Sequence, residues 1–370
     1  MVRAFEGSQC KLSERKRPHA GSQTRRILLK DVARIVGVDQ SLVSRVVNGD
    51  PKASASPATR RRILDAVEQL GYRASVVARG LRMARTWTIG FLLPDFENPM
   101  YSSIVRGAES ETSTRGYAIV LGTHVEGARE DSFARLLQQG RVDGLLAASG
   151  LLKDLFMREV AATGPGPVVV VNRRVAGINA SVVVDDRAGS RLAVQHLAEL
   201  NHRMVIGLFG PGFIDTARRR RAGFDSACRD TGVEGIALEM SSWDSAAGHA
   251  ATLQAIRKFP HATGIFASTF LMGVGALSAA REAKVAVPRA LSVIALHDSS
   301  LAAFLGPPLT TVAMPTEEMG RQAARLLISM VDGQPARHIV VEGPPLLVLR
   351  QSTGTPGPPK SRRQPHPEFA

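Results

Sequence analysis

From Trp87 onward, short apolar runs alternate with amphipathic stretches. The runs are Ile89 to Leu93, Ala118 to Leu121, Gly144 to Ala147, Val168 to Val171, Val182 to Val184, Val205 to Phe209, Gly264 to Ala267 and Val293 to Leu296. Apolar runs without in/out alternation predict strands covered on both faces, as in a parallel sheet flanked by helices. Between them, Ser103 to Arg115, Ser190 to Leu200, Arg219 to Asp230 and Met272 to Ala283 repeat at helical spacing. A doubly wound α/β body follows from this order.

Ahead of that body the period is helical throughout residues 28–71. Leu29, Val32, Ala33 and Val36 share one face, Gly37 permits a tight turn, and Asp39 can cap a second helix. In the second helix Val43, Val46 and Val47 face inward, which leaves Gln40, Ser41, Ser44 and Arg45 directed outward. A third helix is punctuated by Ser56 as cap, Pro57 in the first turn, Ile63, Val67 and Leu70 on one face, and Gly71 as the stop.

Charge changes this picture by saying what the helical part meets. The chain has 370 residues and a formal net charge of +14. Residues 1–86 hold 18 Lys and Arg against 7 Asp and Glu, and the remainder 29 against 26. A positive field concentrated in the first quarter suits phosphate backbones. Arg can bind guanine in a bidentate way and Gln can do so for adenine, so the outward side chains of the second helix are equipped to read bases. Arg61, within the run Arg60 to Arg62, is expected on phosphates.

The two cysteines, Cys10 and Cys228, form no Cys/His cluster, so no structural zinc or disulfide framework is expected. Neither a signal-peptide run nor a membrane span is visible, and a cytoplasmic location is expected. No Ser/His/Asp or Cys/His set has a nucleophile's context, and no cofactor is predicted. Gly273 and Gly275 imitate part of a dinucleotide-binding motif, but Ser278 stands where its third glycine belongs.

Several blocks in fixed order resemble the LacI/GalR family of bacterial repressors. They are KDVARIVGV with SRVVNG, ATRRRILDAVEQLGYR, ARGLR followed by RTWTIG, PDFENPMYSSIVRGAE, RVDGLL, GFDSA and PPLTTVAMP. The resemblance covers residues 28 to about 352. It implies an all-α helix-turn-helix DNA-binding domain followed by a two-lobed, periplasmic-binding-protein-like α/β sensor. It also implies a homodimer on palindromic double-stranded DNA, controlled by a small molecule and acting as a repressor. By that match Gln40, Ser41 and Arg45 read bases, Asn48 and Thr59 contact the backbone, and Leu81 wedges into the minor groove from a hinge helix. Asp95, Met100, Tyr101, Thr216, Arg218 and Trp243 fall on the ligand positions.

The expected division is a basic arm over residues 1–26, the DNA-binding domain over 27–73, the hinge over 74–86 and the sensor over 87–352. Lobe 1 takes about 87–172 and 313–331, lobe 2 about 173–312 and 332–352, and residues 353–370 are expected to form a disordered, Pro-rich tail. Leu28 and Leu42 stand where the family favours Thr. Phe270 and His297 stand where it favours carboxylates that take sugar hydroxyls. Their substitution predicts weak binding of plain hexoses and a flatter or anionic ligand, with Arg218 as its anchor. An exported solute-binding protein would share the body, yet would have no use for residues 28–82.

Overall fold

A computed structural model describes residues 27–72, 85–123, 131–148, 158, 161–162 and 164–357. The chain divides into two units, with the division between Arg79 and Gly80. The expected arm, the hinge residues 74–84 with Leu81, and residues 358–370 lie outside the described part.

The first unit contains α1 (Leu29–Val36), α2 (Gln40–Val47) and α3 (Pro57–Gln69). Val32, Val36, Val43, Val46, Ile63 and Ala66 close a small core between them. The turn from α1 to α2 runs through Gly37 at φ 72°. Leu28 offers no side-chain cap, but the Asp31 carboxylate reaches back to accept the Leu28 N–H at 2.9 Å. That bond is half of a reciprocal cap, so one of the first-turn amides is satisfied despite the apolar residue.

The second unit carries two six-stranded sheets. One runs in the order β11-β5-β4-β3-β1-β2 and the other β12-β10-β9-β8-β6-β7. The first comprises β1 (Thr88–Leu93), β2 (Ala118–Thr123), β3 (Gly144–Ala147), β4 (Val168–Val171), β5 (Ser181–Val183) and β11 (His338–Val340). The second comprises β6 (Met204–Phe209), β7 (Glu234–Glu239), β8 (Gly264–Ala267), β9 (Ser292–Leu296), β10 (Thr310–Ala313) and β12 (Leu346–Val348). Pairing is parallel except between β10 and β12.

The helices are α4 (Pro99–Thr114), α5 (Asp131–Gln138), α6 (Asp186–Glu199), α7 (Asp215–Thr231), α8 (Ser245–Lys258), α9 (Phe270–Glu282) and α10 (Thr316–Val331). Helices α4 and α10 pack together beside the first sheet, while α6 with α7 and α8 with α9 pair around the second. Gly275 belongs to that last packing: a Cβ there would overlap the Ser245 carbonyl of α8. Gly273 instead lies against Ala295 of β9, so the two glycines serve a helix–strand and a helix–helix contact.

Each of the eight apolar runs forms a strand. The lobe boundaries differ from those expected. Residues 173–184 were assigned to lobe 2, yet β5 pairs with β4 in the first sheet. Residues 332–352 were also assigned to lobe 2, yet β11 pairs with β5. The chain thus crosses between sheets after β5, after β10 and after β11.

The tail boundary is corrected too. Ser352 is fully buried and its hydroxyl donates to the Val293 carbonyl at 2.6 Å. Thr353 lies 3.0 Å from His196 Nε2, and the Gly354 N–H donates to Ser292 at 3.0 Å. Proline content misled here, because the carbonyls and hydroxyls of the segment fasten it to the second sheet.

Candidate functional site

Two places in the described chain combine exposure with directed chemistry. The first is α2. Asp39 caps it, its carboxylate accepting the Ser41 N–H at 2.7 Å, and the Ser41 bonds hold that carboxyl below its ordinary value. Gln40, Ser41 and Arg45 are exposed on one side, with Ser44 half-buried beside them. Asn48 turns back, its amide donating to the Ser44 carbonyl at 2.6 Å, which closes the helix. Thr59 shares a 2.9 Å hydroxyl bond with Ser56 at the start of α3. Arg61 is exposed, whereas Arg62 donates to the Val36 carbonyl at 2.8 Å and ties α3 to the end of α1. The run of three arginines is thus divided between surface and scaffold.

The second place is a cavity of about 370 Å³ at the carboxyl ends of strands from both sheets. Such ends collect loops, so several elements reach one point. After β1, the Asp95 carboxylate accepts the Glu97 and Asn98 amides at 2.9 and 2.8 Å, and Asn98 caps α4 through Met100 N at 3.1 Å. Met100 and Tyr101 follow on the wall. Burial, with Asp95 adding to it, pushes the Tyr101 phenol up from its ordinary value, so it is a neutral hydroxyl.

After β4 come Asn172 and Arg173, both buried on the wall. Asn172 has φ 66°, its carbonyl accepts the Thr216 hydroxyl at 2.7 Å, and its buried Oδ1 has no protein partner. After β7 comes Trp243, whose carbonyl accepts from Thr269 at 3.1 Å. A Cβ at Gly210 would overlap the indole, so the glycine lets the ring lie against the backbone.

Beneath that ring lies Arg220, 2% exposed, with its guanidinium carbon 5.4 Å from the indole centroid. Its Nε donates to Asp186 at 2.7 Å, Nη1 to the Ser268 carbonyl at 2.8 Å, and Nη2 to His297 Nε2 at 2.8 Å. Three of five N–H donors are therefore spent on the protein. Accepting that bond at Nε2 places the proton of a neutral His297 on Nδ1. Burial first, and then the charge of Arg220, keep the ring far below its ordinary pKa. Asp186 is fully buried and also meets Arg219 at 2.6 Å, while Arg219 meets Asp215 at 2.9 Å.

The model of the lacI family of bacterial regulatory proteins matches residues 28–75, and that of a periplasmic binding protein-like domain matches 194–353. The transcriptional regulator MalR of Streptomyces coelicolor is 33% identical over 339 residues, covering 88% of this chain and 96% of its own. This chain belongs to the LacI family. CelR of Thermobifida fusca is 32% identical, over 89% of this chain and 98% of its own. Among solved structures, a CelR–cellobiose complex gives 30% identity and a TM-score of 0.66 over 88% of this chain and all of that one. The Lac repressor dimer bound to operator and an anti-inducer gives 27% and 0.76, over 89% and 100%.

As a LacI-family member the chain is a DNA-binding transcriptional regulator, built as a helix-turn-helix head and a two-lobed α/β sensor. Of the residues assigned to its ligand, Asp95, Met100, Tyr101, Thr216 and Trp243 line the cavity. Arg218 does not. It is exposed, and Nη1 donates to the Phe213 carbonyl at 2.5 Å. The arginine that α7 places on the wall is Arg220, four residues beyond Thr216 and so on the same face of the helix.

Phe270 and His297 are also outside the lining: the first is buried in an apolar cluster with Leu208 and Ala276, the second sits behind Arg220. The forecast against sugars rested on these two positions and loses its basis. Glu97, Asn98, Asn172, Arg173, Asp244 and Thr269 line the cavity and were missed. Asn98, Asp244 and Thr269 carried a usable sign, each standing as a helix cap at a strand-to-helix loop.

Proposed function

We propose that this regulator is a cytoplasmic homodimeric repressor that reads a palindromic operator and releases it when a small polyhydroxylated ligand enters the cleft. Gln40, Ser41, Ser44 and Arg45 meet base edges; Asn48, Thr59 and Arg61 meet the backbone. Leu81 supplies the minor-groove wedge. The related Lac repressor structure, a dimer on its operator, supports the paired mode, and one head presents too few side chains for useful specificity.

One observation carries the ligand class. The wall that includes Trp243 combines acceptors, Asp95, Glu97, Asp244 and Asn172, with donors, Arg173, Arg220 and the Tyr101 hydroxyl. A hydroxyl both donates and accepts, so a ring of hydroxyls with an apolar face satisfies this set, whereas an all-acceptor anion does not. Binding without turnover is the role that these side chains serve.

A thermal-shift series with cellobiose, maltose, glucose, adenine and benzoate tests the reading. A sugar held at a hundredfold its Kd should stabilise the protein by about 2.7 kcal/mol. Stabilisation by adenine or benzoate with none from the sugars would refute the ligand class. Footprinting that protects a single asymmetric half-site would refute the dimeric reading.

A further inference from the structure

The first described residues after the connector, Arg85 to Trp87, are held more tightly than a chain entering a domain requires. The Asp143 carboxylate accepts three bonds from them: Thr86 N at 2.6 Å, Thr86 Oγ1 at 2.8 Å and Trp87 N at 2.9 Å. Trp87 has φ 55°, a conformation that a bulky side chain adopts only when its surroundings force it. Its ring packs 5.1 Å from that of Tyr117, with the Arg85 guanidinium 5.9 Å from its centroid. Arg85 continues to Asp332 at 2.8 Å and the Val331 carbonyl at 3.1 Å, at the end of α10.

This knot opens β1, whose six residues span roughly 20 Å. At the other end of the same strand stand Pro94 and Asp95 on the cavity wall. One bar of backbone therefore has the ligand loop at one end and the route to the DNA-reading head at the other.

We propose that the Asp143–Trp87 knot is an anchor that fixes where the linker to the head leaves the sensor, and that it thereby sets operator affinity. Asp143, Trp87 and Arg85 act through the linker as positioning residues. The proposal rests on the reading that two heads engage one operator together. Releasing residues 85–87 would lengthen each linker by roughly 10 Å, which lowers the effective concentration of the second head at its half-site.

The probe is a duplex selected by the full-length protein from a randomised pool, without cleft ligand. Asp143→Ala combined with Trp87→Gly removes the three carboxylate bonds and the ring together, and glycine keeps the backbone angle at no steric cost. This double variant should bind the duplex about twofold more weakly, as expected when three residues are added to each short tether. The slope of affinity against salt should stay unchanged, since no phosphate contact is lost. Trp87→Phe with Asp143 kept should retain most of the affinity.

Inserting Gly-Gly-Gly between Ala84 and Arg85 leaves the knot intact but adds the same slack of roughly 10 Å, so it should reproduce the loss even if the double variant does not fold. Wild-type affinity in the insertion variant overturns the proposal. So does wild-type affinity or a reduced salt slope in the folded double variant, the latter because it would make these residues direct DNA contacts. If the wild-type protein selects only single half-sites, the dimeric reading fails instead.

Discussion

Arg220 and Arg218 stand two positions apart in one helix and do unrelated work. Arg220→Ala leaves Asp186 buried with Arg219 alone, and removing one member of a buried ionic cluster costs roughly 3 to 5 kcal/mol. Its urea midpoint should fall and its sugar-induced thermal shift should vanish. Arg218→Ala should keep that shift, because its guanidinium holds the Gly212–Phe213 loop rather than the cavity. If the two variants behave alike, the cavity assignment is wrong.

In the head, Arg45→Ala should narrow the gap between operator and random DNA, whereas Arg61→Ala should weaken both alike and reduce the salt slope by about one. Competition titrations with both duplexes separate the two. The arginine run hid its own pattern from the sequence: four equal side chains carry no periodicity, and only counting four residues on from Thr216 identifies the inward one. Asn172 and Arg173 gave no sign at all, since a loop after a strand has no period to read.

At the scale of elements, continuous apolar runs were easy to read because strands inside a parallel sheet meet helices on both faces. The missed strands are at or near the margins. Strand β7 is an edge with a mixed sequence, EGIALE, and exposed ends; β11 and β12 are three-residue edges. Strand β10 is buried, but two of its four residues are threonine. The cap of α1 shows the same limit, since Leu28 suggested a loss that Asp31 partly repairs. Asp31→Ala should therefore destabilise the head by about 1 kcal/mol, the usual worth of a cap bond, and thermal melts of the full chain followed by head-specific NMR amides can measure it.

Across the whole molecule, buried neutral histidines set an acid limit. His202 is lowered to about 4, chiefly by burial, while it bridges Thr263 and the Gly354 carbonyl. The unfolded ring titrates near 6.5, so the unfolded state takes up the proton first as pH falls. The contribution of His202 is complete above about pH 6.5 and is lost down to pH 4, about 3 kcal/mol in all. His196 and His297 are lowered in the same direction. Urea midpoints should fall across that window and level out below it for His202, and His202→Gln should flatten the profile.

The three crossings between the sheets have a consequence for synthesis. The first lobe draws α10 and β11 from residues 316–340, after nearly all of the second lobe has been made. As the chain leaves the ribosome, the face of α4 that α10 will cover and the edge of β5 that β11 will pair stay exposed until the final stretch emerges. The first lobe lacks α10 and β11 and the second lacks β12 until residues 316–348 are made, so a stalled nascent chain ending near residue 310 should remain a chaperone client, although most of its sequence has already been translated.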